Sequence, residues 1–444
     1  MMFTDTVAIL LALGLPLLAV AGIILFGRLP NVRDGISLLV AVLLAFVVFS
    51  LVPGVLAGEQ PELLLWEMLP GLAIHFKLEA LGMIFAGVAA ILWPIASLYS
   101  IGYMRGNSEK KQTRFYVFFA VAITGVMGVA FAANLVTLFI FYEVLTLSTY
   151  PLVTHKGNDD ALKAGRVYMG ILLSTSVGLL LPAIIWTWHI TGTTDFTAGG
   201  IIGDQLSGPL LTVLAAMFIY GIGKAAVMPM QRWLPAAMVA PTPVSALLHA
   251  VAVVKAGVFS VIKVVVYIIG VDTLKNAPNI EWLMYIAGFT VLVASIIALQ
   301  QDNLKRRLAY STISQLSYVV LGVMILAPIS IVGAALHVVA HAFGKITLFF
   351  AAGSIYTAAH KTKVSELNGI GHRMPWTMAA FTIGALSMIG VPPAVGFISK
   401  WYILMGAFQA EQLFAVGVIV LSTLLNAAYF IPIIYAAFFK EENP

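Results

Sequence analysis

Residues 242–271 read TPVSALLHAVAVVKAGVFSVIKVVVYIIGV. About 20 apolar residues suffice to cross the hydrocarbon core of a bilayer, and this run is longer. It nevertheless carries His249, Lys255 and Lys263. A charge near the bilayer centre costs about 2.5–3.5 kcal/mol on insertion scales, so such side chains face the protein interior and mark function. Similar runs recur along the chain, with approximate limits 6–27, 35–57, 79–103, 115–133, 135–153, 167–190, 209–229, 242–271, 282–300, 308–328, 330–357, 375–402 and 414–438. The 444 residues are 61% hydrophobic and 10% charged, with a mean hydropathy of +1.00. Soluble domains carry about 25% charged residues. The expected fold is an all-α polytopic membrane protein of about 13 transmembrane helices.

Basic residues orient it. Seventeen lysines and arginines fall in loops after odd-numbered spans, and only Lys77 and Lys275 in loops after even-numbered ones. Basic loops stay in the cytoplasm, which places the N-terminus outside and the protein in the cell inner (plasma) membrane. Residues 6–27 lack a basic leader and a clean cleavage site and read as a retained span. The chain has no cysteine, so disulfides and thiolate-bound metals or clusters are ruled out. Neither a phosphate loop nor a Gly-x-Gly-x-x-Gly turn is present; Gly221-Ile222-Gly223-Lys224 runs on into Ala225 inside an apolar stretch. No cofactor or metal is expected, and a net charge of +5 is too small and too scattered for nucleic acid. Uphill transport would need an ion gradient or partner subunits.

Five basic residues lie inside spans, Lys224, Lys255, Lys263, Lys345 and Lys400, with Glu143 as the acidic one and His249, His337 and His341 beside them. Unpaired, these charges would cost on the order of 15–20 kcal/mol. Pairing or hydration inside a helix bundle is therefore required. His337, His341 and Lys345 recur every four residues, which stacks them on one helical face over about 12 Å. Such a stripe suits a proton relay. Glu143 reads either as part of that relay or as a structural ion-pair partner. Lys263, near the end of its span, either snorkels outward or joins the interior.

Two stretches break the helical pattern. Lys224 precedes Pro229, Pro235, Pro241 and Pro243; Pro392, Pro393 and Gly396 precede Lys400. Irregular backbone at membrane depth survives only inside protein or beside water, and paired interruptions mark repeats in transporters. The expected organisation is a three-helix segment (1–110), a five-helix repeat (111–272) and its inverted counterpart (273–444), each repeat with one broken helix.

The segments Gly223-Lys224-Ala225-Ala226 through Trp233-Leu234-Pro235 and Ala240-Pro241-Thr242-Pro243-Val244-Ser245-Ala246-Leu247-Leu248-His249 resemble the proton-conducting membrane subunit family. That family includes antiporter-like subunits of respiratory complex I, Mrp-type multisubunit Na⁺/H⁺ antiporter subunits and subunits of membrane-bound hydrogenases. The resemblance continues through Asp302-Asn303-Leu304-Lys305-Arg306, Ala309-Tyr310-Ser311-Thr312, His341-Ala342-Phe343-Gly344-Lys345 and Pro392-Pro393 with Gly396-Phe397-Ile398-Ser399-Lys400, in the family's order over residues 80–440. It implies a proton route from Glu143 and its partner Lys224, along His249 and Lys255, to His337, His341 and Lys345, and out by Lys400. Gln231 and Ala236 depart from the histidine and aspartate of many members. The family core usually has fourteen helices, one more than are read here.

Two functions follow from the resemblance. One is a proton-translocating subunit of a multisubunit cation/proton antiporter of Mrp type (D- or A-like), working with other membrane subunits and moving protons against Na⁺ or K⁺. The alternative is a proton-pumping subunit of a complex I-like NADH:quinone oxidoreductase or membrane-bound hydrogenase, with no redox centre on this chain. A structural scaffold is disfavoured, because a scaffold would shed such costly charges. No Na⁺ cage of carbonyls and carboxylates is recognisable.

Overall fold

The computed structural model describes residues 5–442. Its helices are α1 (Asp5–Leu25), α2 (Pro30–Leu56, with a one-residue interruption at Leu51), α3 (Ala80–Gly106), α4 (Gln112–Ala130), α5 (Leu135–Val153) and α6 (Asp159–Thr191). There follow α7 (Pro209–Gly221), α8 (Thr242–Ile269), α9 (Glu281–Gln300), α10 (Leu304–Met324), α11 (Pro328–Ala359), α12 (Pro375–Ile389), α13 (Val395–Gln409) and α14 (Leu413–Phe439). Among the described residues, ten of these are long and apolar enough to cross a membrane, while α7 and α12 are shorter apolar helices. A multi-pass helical membrane protein is what the composition requires.

The expectation of an all-helical fold needs one correction. Between α2 and α3 the chain makes an antiparallel hairpin, β1 (Glu62–Leu69) and β2 (Leu72–Lys77). Leu69 pairs with Leu72 across Pro70-Gly71, and Gly71 adopts φ +77°, a conformation that glycine alone reaches at little cost. The hairpin is tied to the start of α5: Ala133 donates to the His75 carbonyl (2.9 Å), and Asn134 Nδ2 to the Ala73 carbonyl (2.9 Å). Asn134 also caps α5 by accepting from Thr137 N (2.8 Å).

Several helices begin earlier than hydropathy suggests. Helix α6 starts at Asp159 rather than 167, because Asn158 caps it and two aspartates occupy its positive first turn. Helix α2 starts at Pro30, which brings Arg33 and Asp34 into the helix. There Asp34 is buried and accepts from Arg33 (2.8 Å) and Arg105 (2.5 Å), tying α2 to α3. The run 375–402 is two helices, broken between Ile389 and Val395.

Helix α8 is the axis of the molecule; 89% of its apolar window is buried. Helix α11 lies against it and also contacts α3, α10, α12 and α13. By contrast α1, α2 and α14 are only 33–39% buried and lie at the periphery. Most of the buried lysines and histidines therefore lie on α8, on α11 and at the two breaks.

Candidate functional site

The break after α7 positions Lys224. Gly221 lies so close to Leu180 that a Cβ there would come 2.5 Å from its backbone nitrogen. A single turn, Gly223–Ala225, follows, with Ala226 at φ +57°. Prolines 229, 235, 241 and 243 then withhold four backbone donors. Residues 221–228 are all buried in protein, which is how irregular backbone persists at this depth. Lys224 has no exposed surface; its amine donates to the Tyr142 carbonyl (2.9 Å) and Thr146 Oγ1 (2.5 Å), and lies 3.1 Å from the centre of the Tyr142 ring.

In the state seen here Lys224 is bonded to Tyr142 and Thr146 and not to Glu143, the partner that the resemblance implies. The Glu143 carboxylate oxygens are buried and have no hydrogen-bond partner among the described residues. Tyr142 and Thr146 are four residues apart and share one face of α5, and Glu143, three residues before Thr146, borders that face. The amine seated there is not hydrogen-bonded to Glu143 but stays within reach of its charge.

On α8, Lys255 is wholly buried, touches His341 Nδ1 of α11 and sits 3.4 Å from the His249 carbonyl. His341 and His337 lie one turn apart with ring centres 6.3 Å apart. His337 is held by Ser399 Oγ (2.9 Å) and Gln315 Oε1 (3.0 Å), and its ring stacks on Tyr318 at 5.5 Å. Beyond Tyr318 comes Lys400, its amine 4.8 Å from that ring and donating to the carbonyls of Met388 (2.8 Å) and Ile389 (3.0 Å). Those carbonyls belong to the open C-terminal turn of α12, whose dipole favours a cation. The second break thus receives the amine of Lys400 in its own open turn, whereas the amine of Lys224 leaves the first break for α5.

Lys345 shares the α11 stripe yet turns elsewhere, donating to Ser311 Oγ (2.7 Å) and lying 3.3 Å from the Leu308 carbonyl. Tyr429 donates to the same Ser311 oxygen (2.9 Å) and also contacts Asn426. His249 has neither ring nitrogen hydrogen-bonded among the described residues and packs 4.7 Å from Phe349. Ser245 Oγ, His341 Nε2, Gln315 Nε2 and Ser317 Oγ are likewise buried without protein partners. Buried polar atoms are normally satisfied by protein or ordered water, so these atoms trace a wettable interior. The structure thus joins Lys255, His341, His337 and Lys400 through Tyr318, and leaves Lys224 and Glu143 as a separate cluster. The backbone of Gly257 bears directly on that of Lys224 and Ala225.

Sequence reasoning missed one cluster. Lys263 does not snorkel; it is 1% exposed and forms a 2.8 Å ion pair with Glu79, among the rings of Phe196 (4.4 Å), Tyr267 (4.8 Å) and Phe259 (5.9 Å). Glu79 also accepts from Leu81 N (3.0 Å), Gly82 N (3.1 Å) and Tyr267 Oη (3.2 Å), capping α3. With four donors the carboxylate is fully used, as an anchor. An acidic residue immediately before an apolar run was the available signal.

Fold and site define a polytopic helical membrane protein with a buried series of amines and imidazoles between two broken helices. Residues 132–426 match the model of the NADH:quinone oxidoreductase/Mrp antiporter transmembrane family, and the chain belongs to that family as an antiporter-like subunit. It is 34% identical over 359 residues to NADH-quinone oxidoreductase subunit N of Desulforudis audaxviator, covering 80% of this chain and 70% of that one. It is 27% identical to the D-type Na(+)/H(+) antiporter protein of Alkalihalophilus pseudofirmus (83% and 75%). Against hydrogenase-4 component B of Escherichia coli (29%, 78% of this chain) it spans about half of the relative's length, 52%. The same fold occurs in an archaeal membrane-bound sulfane sulfur reductase (TM-score 0.86, 23% identity, 99% of this chain and 90% of that one) and in the Mrp complex of Dietzia sp. (TM-score 0.83, 23%, 98% and 81%).

Proposed function

We propose that this chain is the proton-translocating subunit of a multisubunit cation/proton antiporter of Mrp type, residing in the plasma membrane with its basic loops in the cytoplasm. The observation that carries the reading is the buried contact series Lys255–His341–His337–Tyr318–Lys400, bordered by orphaned imidazole and hydroxyl groups. Lysine and neutral histidine can accept and release protons in a semi-dry interior, whereas arginine stays charged. Lys224 acts as the donor to this series. It rests on Tyr142 and Thr146 in the state seen here, and swings to Glu143 in another, so that its proton is held or released according to its partner. Lys345 branches from the series at α11, and Lys400 passes the proton on at the second break.

The architecture proposed is thirteen spans with two inverted repeats of five. Supporting it, the breaks after Gly221 and Ile389 lie five helices apart and each is lined by one buried lysine. Partner subunits belong to the reading, since the structures of similar fold come from multisubunit membrane complexes. A redox-driven pump is the second reading, favoured by the 34% identity to an oxidoreductase subunit against 27% to an antiporter subunit. Affinity purification in mild detergent tests both: small antiporter subunits copurifying support the first, and quinone-site or iron–sulfur subunits support the second. Exchange of H⁺ for Na⁺ or K⁺ by the purified complex, lost in Lys224→Ala, completes the test.

A further inference from the structure

The proton series needs a way in, and one cavity outside it has the chemistry of a mouth. About 210 Å³ is enclosed between the ends of α3, α8, α10 and α11, lined by Lys156, Lys305, Lys361, Tyr103, Tyr356 and Thr242 among others. A second cavity of about 550 Å³ shares its Met238, Val239 and Asn303 wall and adds Arg232 and Arg306. Among the described residues no carboxylate lines either cavity. The acids beside the lining are Glu366, which accepts from Thr362 N (3.0 Å), Asp302, which precedes Asn303 and is engaged by Ser365 (2.9 Å), Glu442, 3.5 Å from Lys361, and Glu109, whose field reaches Lys305. Lys305 itself donates to the Ala240 carbonyl (2.6 Å).

The floor of the smaller cavity is Thr242, the first residue of α8, 3.4 Å from the Tyr103 hydroxyl. One turn deeper is Ser245, and one turn deeper again His249. Spacings of three and four residues put all three on one face of the helix. Ser245 and His249 have no exposed surface, and among the described residues neither the Ser245 hydroxyl nor either His249 nitrogen has a hydrogen-bond partner. A polar column of unsatisfied atoms thus leads from the basic cavity to the neighbourhood of Lys255, about 10 Å along the axis.

We infer that this cavity is a cation-excluding vestibule: it conducts water to Ser245 and His249, while Lys156, Lys305 and Lys361 keep Na⁺ and K⁺ out of the proton path. Protons cross such a field as hydrogen-bond rearrangements at water and imidazole, whereas a metal ion must enter bodily among like charges. The vestibule opens on the face of the basic loops, apart from the Glu143–Lys224 cluster, and brings water to the His249 end of the series that Lys224 feeds. The inference rests on the proton-translocation reading and adds the inlet and its selectivity.

The absence of cysteine makes the test clean. Thr242→Cys and Ser245→Cys would be placed in the intact complex in membrane vesicles of each orientation. Modification of this chain is then timed with anionic (sulfonate) and cationic (trimethylammonium) methanethiosulfonates, each rate normalised to that with a free thiol. Both cysteines should react from the basic face only. The anionic reagent should be favoured about tenfold, as expected when several like charges act within a Debye length, and Lys156→Gln with Lys361→Gln should abolish that preference. Reaction at 242 without reaction at 245, reaction from the other face, or no charge preference would overturn the inference. Where Ser245→Cys does not assemble, inhibition of proton exchange by the anionic reagent at Thr242→Cys decides, unimpaired exchange after full modification being the adverse result. Loss of exchange in Lys224→Ala is read separately, so a failed vestibule and a failed transport assignment give different patterns.

Discussion

Gly257→Ala isolates the packing that couples α8 to the first break. A Cβ on residue 257 would sit against the Lys224 carbonyl carbon and 2.5 Å from Ala225 N. Ordinary carbon–nitrogen contact needs about 3.4 Å, so one element must shift by roughly 1 Å. Alanine in a helix interior is intrinsically better than glycine by about 0.5–1 kcal/mol, while overpacking costs about 1–3 kcal/mol; fold stability therefore changes little. The displacement falls on Lys224, whose bonds to Thr146 (2.5 Å) and the Tyr142 carbonyl (2.9 Å) cannot both survive it. A hydrogen bond to a charged group contributes about 1.5–3 kcal/mol, and each 1.4 kcal/mol is about a tenfold change in rate. Proton exchange by the intact complex, followed with a pH dye and normalised to the amount assembled, should fall at least tenfold. Gly178→Ala is the control, because nothing lies within 4 Å of a Cβ there. Exchange at the parental rate in Gly257→Ala would refute the coupling.

Glu79→Ala leaves Lys263 buried without its counter-ion, a loss worth about 3–5 kcal/mol; thermal aggregation in detergent should shift to lower temperature, and Lys263→Arg should largely preserve stability because the anchor needs charge and not proton exchange. His155, in the loop after α5, is driven down to about 4 by burial and then by Arg114. The unfolded state binds that proton first, so stability from this group is full above the free histidine value of about 6.5 and is lost as pH falls from there through 4. His155→Asn should flatten the detergent melting profile across that window. Replacing Ser399 by Ala removes one of the two anchors of His337 and should slow exchange several-fold with assembly unchanged; wild-type exchange would remove His337 from the route.

Membrane placement and the buried lysines and histidines were legible because insertion cost is paid residue by residue and shows in any apolar run. Breaks were legible too, since proline announces a missing donor. Partnerships were not. Whether Lys224 meets Glu143 or Tyr142 depends on the rotation of α5, and hydropathy carries no azimuth for a helix that is apolar all round. The same blindness hid the divergence of His337, His341 and Lys345, which share a helix face but reach Ser399, Lys255 and Ser311. Lys263 was ambiguous because its acid, Glu79, lies 184 residues away. The hairpin escaped notice since residues 62–77 lie between two strong spans and their strands carry irregular register.

Lys255→Arg reaches the centre of the matter. Arginine keeps the positive charge against His341 but does not surrender a proton at physiological pH. In the purified, fully assembled complex, proton flux through Lys255→Arg should be at least tenfold below the parent; flux equal to the parent would mean that protons do not pass through this amine.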